Sequence, residues 1–203
     1  SNYLRVQDFM ILEIIEDVNI DRPIYFAVTV SPSNRVGLDR YLEMEGLVYR
    51  VTSKATPEKE MSPRLNPERM KRNITETDRY DYIIHNPEEY KIQMAQNEGL
   101  YRYTNLDNEE IYFNSNIQRL IQNYRSGFLQ LGLHELYSGE PDGNLNTRSL
   151  LGQMDTYFPP EVIPVSEPDL DIQIGRIYSQ AGDSAALKER LKNLQKRPSL
   201  DLE

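Results

Sequence analysis

The sequence predicts an α+β fold, with α/β as the alternative: a small mixed or parallel sheet with flanking helices, followed by antiparallel helix pairs. Three observations predict it. Residues 24–30 and 47–51 are short apolar runs rich in β-branched and aromatic side chains. From Asn114 onward apolar residues recur at helical spacing, segment after segment. The 203 residues carry 38% hydrophobic side chains and 14 Tyr, enough to build a core at this length without staples.

In chain order, Asp8 is a good N-cap, and Ile11, Ile14, Ile15 and Val18 share a face of the helix that follows. Phe9, Met10 and Leu12 widen that face, which predicts burial on more than one side. Residues 19–22 end the helix, and Pro23 forces Arg22 into an extended conformation. Residues 24–30 read as a strand apolar on both faces, of the kind that lies inside a covered sheet. Residues 38–45 read as a short helix closed by Gly46, and 47–51 as a second strand. A parallel pair with a right-handed crossover is the first choice for these strands, and an antiparallel pair the alternative. Pro57, Pro63 and Pro67 punctuate a loop, and short helices are expected near residues 68–74 and 87–96. Residues 101–103 and 111–113 flank an acidic turn, as an extended pair or an ordered loop. Helices follow over 114–138, 146–158, 169–181 and 184–196, the last capped by Asp183. The domains expected are 3–113, small and α/β, and 114–203, helical and packed on it.

Composition excludes several functions. With no Cys there are no disulfides, thiolate zinc sites, iron–sulfur clusters or Cys nucleophiles. His85 and His134 are the only histidines, which leaves metal centres and Ser-His-Asp triads almost without material, and no metal or cofactor is expected. A net charge of -9 argues against nucleic acid as a partner. No apolar stretch approaches the ~20 residues of a membrane span. No secretory signal is legible, and Ser1-Asn2 has the look of a pair left by tag removal, which reads the chain as part of something longer.

Ile174-Gly175, Tyr178, Gly182, Leu187 and Leu191 fall on the signature positions of a tetratricopeptide repeat. Gly175 would admit the partner helix closely, and Leu187, where the repeat prefers Ala, would hold the helices further apart. Phe128, Leu131, Gly132 and Pro159 match a preceding pair more loosely. In the first half, Asp8-Phe9-Met10-Ile11-Leu12, Arg22-Pro23-Ile24-Tyr25-Phe26-Ala27 and the run from Gly37 to Arg50 resemble a family of bacterial multi-pass membrane proteins related to protein O-mannosyltransferases. The resemblance implies a soluble C-terminal region with tetratricopeptide-like helices, on the periplasmic or extracytoplasmic face of a membrane. It implies that the sugar-transferring acids lie in the membrane region, so no catalytic residue is assigned here. The partners implied are the transmembrane region of the parent chain and an acceptor polypeptide or glycan.

The candidate binding residues are Arg22, Tyr25, Tyr41, Glu45, Arg50, Tyr101 and Tyr103. Arg22 and Tyr25 could meet a phosphate or sugar at the sheet edge; the plainer reading has Pro23 setting the strand, Arg22 pairing with Asp21 or Glu45, and Tyr25 packing. Tyr101, Tyr103, Tyr112 and Tyr124 could stack on sugar rings, but a Tyr-rich core is the plainer expectation. Glu13, Asp17 and Asp21 share a helix face and read as solvated, since no calcium-loop spacing accompanies them. Asn73-Ile74-Thr75 and Asp183-Ser184-Ala185 match glycosylation patterns too short to carry weight. The expected function is a non-catalytic extracytoplasmic domain of a membrane-bound glycosyltransferase, with a soluble carbohydrate-active enzyme or an unrelated interaction scaffold as alternatives.

Overall fold

The structure is a computed structural model and describes residues 4–18, 22–58, 60, 63–75, 101, 103–165 and 167–196. The architecture is α+β, and the chain divides into two compact units, residues 1–73 and 74–203. The expected helix at 87–96, His85, Asp21 and most of the stretch between residue 74 and the boundary read at 113 lie outside the described residues.

The first unit opens with α1 (Val6–Val18). Asp8 does not cap it as expected, because the helix begins two residues earlier. As third helical residue, its carboxylate instead accepts from the Arg5 backbone N–H at 2.8 Å and from the Arg5 guanidinium at 3.0 and 3.1 Å. This is the reciprocal half of a capping box. Burial on several sides is not what the structure shows. Ile11, Ile15 and Val18 are half-buried, while Phe9, Met10, Leu12 and Ile14 are exposed. A helix with a wide apolar surface thus has one face covered within its unit. Glu13, Glu16 and Asp17 are exposed, as a solvated face requires.

Four strands form one mixed sheet in the order β1-β3-β2-β4: β1 (Tyr25–Ala27), β2 (Leu42–Met44), β3 (Val48–Val51) and β4 (Arg64–Leu65). The parallel crossover is overturned. β1 pairs antiparallel with β3, and β3 antiparallel with β2; only β2 and β4 run parallel. The helix read over 38–45 is the reason for the misreading. It is a single 3-10 turn, Leu38–Tyr41, after which the chain extends into β2. Gly46, at φ 123°, closes the β2–β3 hairpin rather than a helix. β1 is also not covered on both faces: Phe26 is buried while Tyr25 and Ala27 face out. Phe26, Leu42 and Val51 form the core, packed by Ile11, Ile24, Val30, Leu38 and Tyr49. Each of the three removes apolar surface worth about 1.5–3 kcal/mol from water. α2 (Pro67–Thr75) follows, with Pro67 in its first turn and the Asn66 side chain accepting the Arg69 N–H at 3.1 Å.

The second unit holds α3 (Ser115–Tyr137), α4 (Gly143–Tyr157), α5 (Pro168–Gln180) and α6 (Ser184–Lys196). Asn114 caps α3 through Ile117 N–H, and Asp183 caps α6 through Ala185 and Ala186. α3 and α4 pair antiparallel: Thr147 Oγ1 donates to the Gly132 carbonyl, and Gly132 lies against Leu151. In the α5–α6 pair Leu187 sits directly on Gly175, so the bare glycine, and not helix separation, makes room for it. Phe128, Leu131, Leu151, Met154, Phe158 and Ile174 are fully buried. Arg125 is buried among them and donates to the carbonyls of Phe158 and Ile163 at 2.9 and 2.5 Å, tying the post-α4 loop to α3. Residues 103–113 are turns and loop rather than a strand pair.

Candidate functional site

Strict alternation across the sheet divides it into an apolar and a polar face. Register places Tyr25 opposite Arg50, Arg50 opposite Glu43, and Glu43 opposite Arg64. Directly opposed residues share a face, so these four make one polar row spanning all four strands. The neighbouring row, Phe26, Tyr49, Met44 and Leu65, points the other way, toward the core.

α2 and the segment before it complete the polar face. Glu45 is buried, and its Oε1 lies 3.1 Å from Arg69 and 3.8 Å from Arg50. Glu43 is bound by Arg64 through one oxygen and by the Asn66 amide at 3.2 Å through the other. Asn73 donates to the Glu45 backbone carbonyl at 2.6 Å, which engages the side chain of the short Asn73-Ile74-Thr75 pattern in the fold. A cleft of about 290 Å³ opens here, lined by Glu43, Arg50, Thr52, Ser53, Asn66 and Arg69, with Val51 at its apolar edge. Three guanidiniums thus face two carboxylates. The carboxylates are locked in ion pairs, which suits holding a ligand better than moving a proton.

Of the residues read from sequence, Glu45 and Arg50 come together, and Tyr25, 40% exposed, stands beside Arg50 in the cross-strand row. Tyr41, 40% exposed, ends the 3-10 turn just before β2; its carbonyl accepts the Thr52 backbone N–H at 2.8 Å and the Thr52 hydroxyl at 3.1 Å. Arg22 is exposed ahead of β1, and Glu45 is taken by Arg50 and Arg69 rather than by Arg22. Tyr101 and Tyr103 belong to the second unit. There Tyr103 stacks on Tyr157 at 4.6 Å and meets Phe158 edge-on at 4.9 Å, and both Tyr101 and Tyr103 meet Tyr124 edge-on at 5.8 Å. The Tyr103 hydroxyl donates to the Ile74 carbonyl, and burial first, then the neighbouring tyrosines, push its ionisation up. Tyr103 is therefore a packing residue.

Sequence reasoning missed Glu43, Arg64, Asn66 and Arg69. Their grouping depends on cross-strand register and on where α2 returns, and reading 38–45 as a helix hid the register.

The second unit has its own polar centre. Arg190 is buried and bonds Asp171 at 2.6 Å and both oxygens of Asp155 at 2.6 and 2.5 Å. Burial works against its charge, but the Asp155 and Asp171 carboxylates outweigh it and push its ionisation up. Tyr178 donates to Asp155 at 2.8 Å; burial and that carboxylate hold it protonated well above the ordinary tyrosine range. A groove of about 460 Å³ between α4 and α6 lies over this centre, rimmed by Arg148, Glu161, Asp183 and Glu189. His134 is exposed on α3. Among the described residues no group of acids or histidines could hold a metal ion, and no helix is long and apolar enough to cross a membrane.

No curated protein and no solved structure matches this chain. Residues 1–78, which contain α1, the sheet, its polar cleft and α2, match the model of a family described as TMEM260-associated domain 2, and this ties the first unit to a family linked to a transmembrane protein.

Proposed function

We propose that this chain is a non-catalytic, extracytoplasmic domain of a membrane-bound glycosyltransferase related to the protein O-mannosyltransferases, where it positions an acceptor protein or supports the membrane region. The observation that carries this reading is the match of residues 1–78 to a domain family linked to a transmembrane protein. Two features support it. The carboxylates of the sheet cleft, Glu43 and Glu45, are committed to arginines, an arrangement for binding and not for acid–base chemistry. The two helix pairs expose a groove between α4 and α6 of a size to take side chains of an extended polypeptide.

The test combines the chain with a lipid-linked sugar donor and Ser/Thr-containing peptides, following transfer and NMR shifts together. The expected result is peptide-induced shifts within residues 114–196 and no sugar transfer. Transfer by the chain alone overturns the non-catalytic assignment. Silence toward every peptide removes the positioning role.

A further inference from the structure

The polar cleft on the sheet holds more positive charge than its own carboxylates neutralise. Arg50, Arg69 and Glu43 line it, and counting their ion-pair partners Arg64 and Glu45 still leaves one guanidinium in excess. Arg50 is the unspent member. Its ion pair to Glu45 spans 3.8 Å, beyond hydrogen-bond reach, and among the described residues its guanidinium makes no hydrogen bond, although the side chain is only 27% exposed. A guanidinium carries five N–H donors in a fixed fork suited to oxyanions. The unit around it is not acidic either. Residues 1–73 hold eleven basic and eleven acidic side chains, so the whole net charge of -9 resides in residues 74–203.

We infer that this cleft is a binding site for a phosphate group, clamped by Arg50 and Arg69 with Ser53 at its mouth. The donors approach from different elements: Arg50 from β3, Arg69 from α2, and the Ser53 hydroxyl from the loop after β3. Donors converging from several directions suit a tetrahedral anion with three or four oxygens better than a flat carboxylate. The cleft, about 290 Å³, admits one such group and its immediate substituent. Tyr25, next to Arg50 in the cross-strand row and 40% exposed, would border that substituent. The bound phosphate neutralises the surplus guanidinium and supplies Arg50 with the hydrogen-bond acceptors it lacks. This inference stands on the cleft alone and does not depend on the glycosyltransferase reading.

The experiment titrates the 203-residue chain with inorganic phosphate and, separately, with phosphatidylcholine vesicles with and without phosphatidylglycerol. It follows the backbone amides of Thr52, Ser53 and Asn66 by NMR. The expected result is saturable shifts at these amides at millimolar phosphate or tighter. Arg50→Gln should weaken binding at least about tenfold, whereas Arg119→Gln, which removes the same charge from the second unit, should leave it unchanged. Ser53 is exposed, so Ser53→Asp places a carboxylate at the mouth without touching the core. It should abolish binding even if Arg50→Gln proves unstable. Response to phosphatidylglycerol vesicles with the same variant pattern identifies a lipid headgroup as the source; response to inorganic phosphate alone identifies a soluble one. No saturable shift with either probe, or shifts that survive both Arg50→Gln and Ser53→Asp, overturns the site.

Discussion

At Gly175 a single hydrogen atom decides how closely two helices pack. A Cβ there would meet Leu187 Cδ1 at 2.8 Å and its Cα at 3.2 Å, and the second of these cannot move without moving α6. Gly175→Ala is therefore expected to destabilise the second unit by about 1–3 kcal/mol. Gly152, also helical, has nothing within 4 Å of the same position. Gly152→Ala should stabilise by about 0.5–1 kcal/mol, because only the backbone entropy term remains. Urea melts followed by helical circular dichroism check both; equal effects at the two sites would contradict the packing of α5 on α6. The importance of Gly175 was legible in its spacing to Tyr178 and Gly182. That Leu187 would rest on it was not, because spacing along one helix says nothing about which side chain arrives from another.

Among the elements, α1 begins on an acid-sensitive device. The Asp8 carboxyl is held below its ordinary range by the Arg5 side chain first and the Arg5 backbone N–H second, against a smaller opposing effect of burial. A depressed carboxyl pKa adds stability that is fully present above the unfolded value near 3.9 and is lost as pH falls through the folded one. Loosening of α1 is thus expected below about pH 4. Hydrogen exchange at the α1 amides between pH 5 and 2 reads it, and Asp8→Asn should show the loosened exchange already at pH 5. Unchanged protection of α1 in that variant would sink the assignment. The sequence reading picked Asp8 and the helix correctly but placed the cap three residues late, since an N-cap and a third-position acid look alike in sequence. The wide apolar surface of α1 misled further. Periodicity counts apolar residues without knowing how many neighbours the fold supplies, and within its unit α1 receives them on one face. The β2 segment failed for a related reason: residues 38–45 have helical spacing in Leu38, Tyr41 and Leu42, but pairing with β3 offers the backbone more hydrogen bonds than one further turn would.

Across the whole molecule, charge and tyrosine chemistry divide between the two units. The net negative charge lies entirely in residues 74–203, and there Tyr103 and Tyr178 are both held protonated, chiefly by burial. For a raised pKa the stabilisation is complete below the unfolded value near 10 and is lost as pH climbs toward the folded one. The helical unit should accordingly keep its melting temperature up to about pH 9 and lose it steeply beyond pH 10. Absorbance at alkaline pH, compared with that of the Tyr103→Phe and Tyr178→Phe variants, should show these two tyrosines ionising only as the helices melt. A Tyr103→Phe, Tyr178→Phe double variant that retained the full alkaline loss would place its cause elsewhere. Ionisation of Tyr103 and Tyr178 with the helices intact would contradict the burial of both rings.

By itself the sequence determined the α+β class, the helices from residue 114 onward with the cap of the last at Asp183, the strand character of Tyr25–Ala27 and Val48–Val51, and the lack of material for thiolate chemistry. These are local properties: a cap, a stripe and a composition are complete within a few residues. The tertiary structure alone decided that the strands run antiparallel, that Glu43 belongs to a strand, and that Arg50, Arg64 and Arg69 converge on two carboxylates. Those residues are up to twenty-six positions apart in the chain. What joins them is cross-strand register and the return of α2, and register is set by which hydrogen bonds the strands exchange, a choice that no single segment contains.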